Sequence, residues 1–119
     1  MARQNEEWTK MVIDYRPWGH EVILEKNDKY VVKTLNLNAS SRLSLQYHNT
    51  KHETMFCVSG MGFLLLNGVE HLMFPGKSIT ILPGEVHRLY TKDHTLQVLE
   101  CSTTELDDVV RLEDDYGRV

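Results

Sequence analysis

No stretch of this sequence stays apolar for long. Its hydrophobic runs, such as Met55 to Val58 and Phe63 to Leu66, fall far short of the roughly 18 residues a membrane-spanning helix needs. Cysteine is scarce: Cys57 and Cys101 are the only two, far apart, in apolar stretches and without a Cys-x-x-Cys spacing. That excludes a finger-type zinc site and makes two buried free thiols in a reducing compartment the expectation. No cluster of Lys and Arg offers a footprint for a phosphate backbone, so nucleic acid is not an expected partner. Met1 to Lys10 lacks the apolar core of a secretory signal, so a cytoplasmic location is expected. Internal repeats, low-complexity tracts and Pro/Gly/Ser linkers are missing as well.

What is present fits one folded domain. A chain of 119 residues is too short for two independent cores, yet it buries roughly two-thirds of its unfolded surface without needing staples. Hydrophobic residues make up 41% and charged residues 25%, near the globular average, which excludes wholesale disorder. The net charge of −4 is local in origin. Residues 100–119 hold seven acids (Glu100, Glu105, Asp107, Asp108, Glu113, Asp114 and Asp115) against Arg111 and Arg118. Residues 1–15 read as a lead, in which Glu6 to Met11 permits one helical turn, and residues 16–119 as the domain.

From Trp18 onward, short apolar or alternating runs are separated by turn residues. The candidate strands are 21–25, 30–37, 42–48, 55–58, 63–66, 69–74, 78–82, 86–90 and 96–102. Asn67-Gly68 between two of them is the strongest short hairpin signal, and Pro75-Gly76 and Pro83-Gly84 break others. About nine short strands at this spacing predict an all-β antiparallel sandwich or barrel rather than a βαβ sheet. Residues 106–119 fit either an extra strand or a helical turn. Trp18, Tyr30, Phe56, Phe63 and Phe74 are expected in the core or an interface. Tyr47 and Tyr90 are assigned to packing, and no role is given to His20, His71 or His94.

Of the six histidines, the informative ones are those able to converge. On strand 42–48, Leu43, Leu45 and Tyr47 alternate with Ser44, Gln46 and His48, so Gln46 and His48 share a face. Glu53 follows after a loop, and His87 opens a strand after Pro83-Gly84-Glu85. Two imidazoles, a carboxylate and an amide oxygen suit a borderline divalent ion such as Zn²⁺, Mn²⁺, Fe²⁺, Co²⁺ or Ni²⁺. A solvated strand face explains the same alternation, and spacing alone leaves both readings open.

The stretch Gln46-Tyr47-His48-Asn49-Thr50-Lys51-His52-Glu53, ahead of Gly60, resembles the first cupin motif. Gly76 with Pro83-Gly84-Glu85-Val86-His87 resembles the second. Arg16-Pro17-Trp18-Gly19, Arg42-Leu43-Ser44-Leu45-Gln46, Val58-Ser59-Gly60 and Asp107-Asp108-Val109-Val110-Arg111-Leu112-Glu113-Asp114-Asp115-Tyr116-Gly117-Arg118 are similar to one branch. That branch is the C-terminal domain of type II mannose-6-phosphate isomerases, often fused to a mannose-1-phosphate guanylyltransferase. The resemblance runs from about Arg16 to Arg118. It implies a single cupin jelly-roll barrel, a divalent metal (zinc foremost) held inside by Gln46, His48, Glu53 and His87, and a homodimer that covers the outward Leu43 and Leu45.

The implied activity is aldose–ketose isomerisation of a sugar phosphate, foremost mannose 6-phosphate to fructose 6-phosphate. Arg111, Arg118, Lys33 and Arg42 are the candidates for gripping the phosphate, because a guanidinium fork fits its oxygens. Lys51, Glu85 and Arg111 are the catalytic candidates, with His52 beside them. Asn49, Thr50, Lys51 and Thr54 depart from the family pattern, and Leu82 stands where a proline is usual. Nothing in the sequence resembles the guanylyltransferase half, so nucleotide-sugar synthesis is not expected of these residues. The alternatives are another metal-dependent cupin enzyme, an oxygenase or a lyase, and a non-catalytic cupin that binds a sugar or metabolite.

Overall fold

The computed structural model describes residues 12–119; the helical turn expected at Glu6 to Met11 lies outside them. Eleven strands follow one another: β1 (Val12–Arg16), β2 (Gly19–Lys26), β3 (Val31–Leu37), β4 (Leu45–Tyr47), β5 (Glu53–Gly60), β6 (Gly62–Leu66), β7 (Val69–Met73), β8 (Ser78–Ile81), β9 (His87–Tyr90), β10 (Leu96–Ser102) and β11 (Val110–Glu113). They build a six-stranded sheet, in the order β1-β2-β3-β10-β5-β8, and a five-stranded sheet, in the order β11-β4-β9-β6-β7. Every pairing is antiparallel. This is the all-β jelly roll that the motifs imply, with two strands more than the sequence pattern marks. The additions are β1, whose outer four residues are exposed, and β11, which resolves the acidic segment as a strand.

Period-two alternation explains which residues face inward. In β10, Leu96, Val98, Glu100 and Ser102 are buried while Gln97, Leu99 and Cys101 are not. In β5, Glu53, Met55 and Cys57 are buried and Phe56 and Val58 are exposed. In β3, Leu35 and Leu37 join the core, and Lys33 points the same way opposite Glu100. One end of the sandwich is therefore apolar, around Leu37, Cys57, Leu64 and Val98, and the other polar, around Lys33, Glu53 and Glu100. The same phase corrects one expectation: Cys57 is buried, but Cys101 falls on the outer face and is exposed.

The stretch 42–48 departs from simple alternation. Only Leu45–Tyr47 is a strand, and Arg42 makes an isolated bridge to Tyr90. With the pleat broken at residues 43–44, Leu43 turns inward and packs against the core instead of facing out with Leu45. The Asn67-Gly68 hairpin forms as expected, with φ of 49° and 81° and Leu66 paired to Val69. In Arg-Pro-Trp-Gly, Trp18 enters the core at 3% exposure. A Cβ on Gly19 would lie 1.9 Å from the Asn36 carbonyl oxygen, so only glycine lets β2 begin against β3.

Candidate metal centre

Three strand ends meet at the polar end of the sandwich. His48 follows β4, the loop 49–52 reverses the chain, and Glu53 opens β5. His87 opens β9, directly opposite Gln46. His48, Glu53 and His87 are at most 2% exposed. The Nε2 atoms of His48 and His87 lie 3.2 and 3.1 Å from Glu53 Oε1, and one ligand atom from each of the three falls within 4.8 Å of the others.

Backbone carbonyls fix both rings. His48 Nδ1–H donates to the Asp108 carbonyl at 2.5 Å, and His87 Nδ1–H donates to the Glu85 carbonyl at 2.9 Å. A carbonyl only accepts, so each Nδ1 carries a hydrogen, and a neutral ring turns its Nε2 lone pair toward the Glu53 carboxylate. That arrangement calls for a cation or for protons on the rings. His87 Nε2 and Glu53 Oε2 are buried without an aligned hydrogen bond, a condition buried polar groups rarely keep. Two imidazoles anchored through their outer nitrogens, with a carboxylate between them, are the donor set of a divalent transition-metal site. The residues present fit such an ion.

The ionisation of the group follows from the same contacts. Burial opposes charge on Glu53, but His48, His87 and Lys51 outweigh it and hold the carboxyl far below the ordinary range. Burial likewise pulls His48 down, and Glu53 more than restores it, leaving the imidazole above its usual value. Lys51 is 4% exposed, with Nζ 3.1 Å from Glu53 Oε2 and 3.4 Å from Glu100 Oε2. Its burial is outweighed by Glu100 and Glu53, so it stays an ammonium. The Glu100 carboxyl is pushed above the ordinary carboxylate range, first by burial and then by the charge of Glu53.

Beside the triad is a cavity of about 270 Å³, to which both sheets contribute. Gln46, His87, Lys51 and Glu100 form part of its wall, and Arg16, Lys33, Arg111 and Arg118 another part. Residues 2–114 match the family model described as mannose-6-phosphate isomerase C-terminal. The chain belongs to this family.

Among its relatives are the mannose-1-phosphate guanylyltransferase ManC of Salmonella typhimurium and the alginate biosynthesis protein AlgA of Pseudomonas aeruginosa. They are 35% and 32% identical over 88% and 87% of this chain. The chain spans less than a quarter of their length, 23% and 22%. Solved structures of like fold include the capsular polysaccharide assembling protein CapF of Staphylococcus aureus, with a TM-score of 0.79 at 16% identity, covering 92% of this chain and 33% of that one. Another is a cupin-superfamily sugar phosphate isomerase of Silicibacter pomeroyi, with a TM-score of 0.64 at 22% identity, covering 71% and 58%. At these identities the likeness establishes the cupin fold.

Within the family motifs, the fold gathers some expected residues and separates others. Gln46 shares the cavity with His87, and its Oε1 accepts from Ser44 Oγ at 2.5 Å. Lys33 lies 3.5 Å from both Glu21 and Glu100. Arg118 grips Asp114 through two bonds of 2.9 Å, while Arg111 enters no ion pair among the described residues. Arg42 lies outside this cavity, paired with Asp115. The Glu85 carboxylate also lies outside it and accepts from Leu82 N–H and Asn67 Nδ2 at the turn; only its carbonyl reaches the site, through His87. The His52 side chain is exposed, and Tyr90 stacks on Phe63 at 5.1 Å. Thr54, a departure from the family pattern, faces outward onto Thr80 and does not bear on the cavity.

Three contributors have no role in the sequence reading. Glu100 stands on the inward phase of β10, a signal that alternation carries. Arg16 is quoted only as part of a motif. Asp108 accepts from the backbone N–H groups of Asn49, Thr50 and Lys51 at 3.0, 2.6 and 2.9 Å, while its carbonyl holds His48.

Proposed function

We propose that this domain is a metal-dependent aldose–ketose isomerase acting on a sugar phosphate, foremost mannose 6-phosphate to fructose 6-phosphate. The observation that carries the reading is the buried His48–Glu53–His87 group, whose His87 lines a cavity shared with Lys51, Glu100 and a set of arginines. Family membership supports the substrate class. His48, Glu53 and His87 would hold the ion, with Gln46 as a fourth donor and zinc the foremost choice for this ligand set. Such an ion supplies Lewis-acid polarisation of sugar oxygens.

The reaction moves one proton between the first and second sugar carbons, through an enediolate, with no net oxidation. Lys51 is assigned to the developing oxyanion rather than to the base, because two carboxylates keep it charged, and fixed charge is most effective there. The proton transfer is assigned to Glu100, a cavity-lining carboxylate that is 3% exposed. Glu85 acts through its carbonyl by orienting His87. Arg111 receives the phosphate, and Arg118 braces the segment that carries it. We also read the chain as cytoplasmic, where sugar phosphates occur, and as a homodimer.

A coupled assay of protein stripped with a chelator tests the reading. Turnover is expected to return with one of Zn²⁺, Co²⁺ or Mn²⁺, and Glu53→Gln is expected to lose both metal content and activity to background. Folded protein that turns over with no metal added back, or with none of the three, overturns it.

A further inference from the structure

The partly exposed side of the cavity carries three guanidinium groups from separate parts of the chain. Arg16 comes from β1, at the edge of the six-stranded sheet. Arg111 comes from β11, at the edge of the five-stranded sheet, and Arg118 from the tail beyond it. All three line the cavity. Like charges gathered this way repel unless an anion lies among them. Burial depresses the Arg111 guanidinium, and the charges of Arg118 and Arg16 depress it further, against a smaller counter-effect of Asp114.

Local acids do not use up the cluster. Arg118 spends its Nε and Nη2 on Asp114. Arg16 gives Nη2 to Asp14 at 2.7 Å and lies 3.6 Å from Glu21. The Nε atoms of Arg16 and Arg111 are nonetheless buried without a hydrogen-bond partner. A guanidinium presents its donors as a rigid fork, so an orphaned Nε beside a cavity points to an acceptor with several oxygens. A tetrahedral dianion meets forks arriving from two directions; a planar carboxylate engages one edge-on.

We propose that Arg16 and Arg111 form a phosphate clamp across the open edges of the two sheets, and that a bound phosphomonoester ties β1 to β11. The clamp rests on the isomerase reading for the identity of its substrate, but not for its binding chemistry. It adds Arg16 to the residues that grip the phosphate and leaves Arg42 out, since Arg42 faces a different groove with Asp115.

The test is calorimetric titration of chelator-treated protein with inorganic phosphate, followed by fructose 6-phosphate. Arg16→Gln and Arg111→Gln are each expected to weaken phosphate by at least about tenfold, the loss typical of a charged hydrogen bond. Lys29→Gln, in an exposed loop, is expected to bind as the unaltered protein does. Arg16→Lys keeps the charge and loses the fork, so it should recover only part of the affinity, and it serves if Arg16→Gln fails to fold. Hydrogen exchange in β1 and β11 is expected to slow together when phosphate is added. Unaltered phosphate affinity in Arg16→Gln or full recovery in Arg16→Lys overturns the clamp, as does unmodified protein that binds no phosphate. Phosphate binding that depends on Arg16, in protein that isomerises nothing, upholds the clamp and removes the isomerase reading instead. Turnover with an unchanged KM in Arg16→Gln does the reverse.

Discussion

Asp108 works through two different groups. Its carbonyl orients His48, and its carboxylate gathers three successive N–H groups of the loop between His48 and Glu53. The backbone N–H of Asn49, then those of Lys51 and Thr50, hold the carboxyl down at about 2. A loop pinned this way presents His48 and Glu53 at fixed separation. Partners of this kind typically govern metal affinity by about 10- to 100-fold. Asp108→Ala is therefore expected to weaken zinc by at least about tenfold in a competitive chelator titration, with Asp108→Asn intermediate. An unchanged affinity in folded Asp108→Ala would show that the loop needs no pin. His48, Glu53 and His87 are legible in the sequence because their motifs are local. Asp108 is not, since its partners lie 57 to 60 residues away and only the paired edges of β4 and β11 bring them together.

Strands declare themselves in sequence to the extent that one face is buried. Strand β10 shows this for its bounds, while its phase puts Glu100 inside and Cys101 outside, where the sequence led to the expectation of a buried thiol. Strand β1 has little buried face, so its pairing with β2 rests on backbone bonds that leave no side-chain pattern. Strand β11 is short, and its register with β4 shifts between Arg111 and Glu113. Side chains anchor it instead: Arg88, 5% exposed, donates to the Leu43 carbonyl at 2.8 Å and reaches Glu113 at 3.2 Å. After β11, Arg118 closes on Asp114 and holds its carboxyl at about 2. Because that value is depressed below the ordinary 3.8, the Arg118–Asp114 pair contributes fully above 3.8 and is lost as the pH falls through 2. Thermal melts between pH 4 and pH 2 are expected to show the unmodified protein losing stability faster than Asp114→Asn. Parallel curves would remove the Arg118–Asp114 pair from the tail's stability.

At the scale of the molecule, the two sheets divide the interior into a packed apolar end and a polar end with the cavity. The outer face of the six-stranded sheet remains apolar in part. Phe56 and Val58 are 41% and 43% exposed, and Leu99 lies across from Phe56. Aromatic residues are enriched in interface cores, so this is the face we propose for a homodimer contact. Sedimentation is expected to give a dimer for the unmodified chain and a folded monomer for Phe56→Glu. A monomeric unmodified chain, or a dimeric Phe56→Glu, would exclude this face.

The grouping of Asp108 with Arg111 and Arg118 on one short stretch has a genetic consequence. The anchor of His48, the pin of the metal loop, and both Arg111 and Arg118 are encoded within one stretch, residues 108–118. An in-frame deletion of residues 108–118 would spare every strand from β1 to β10 and still remove the site's support in one event. Such an allele is expected to lose the metal loop's pin and the phosphate grip together, where a single substitution loses one of them.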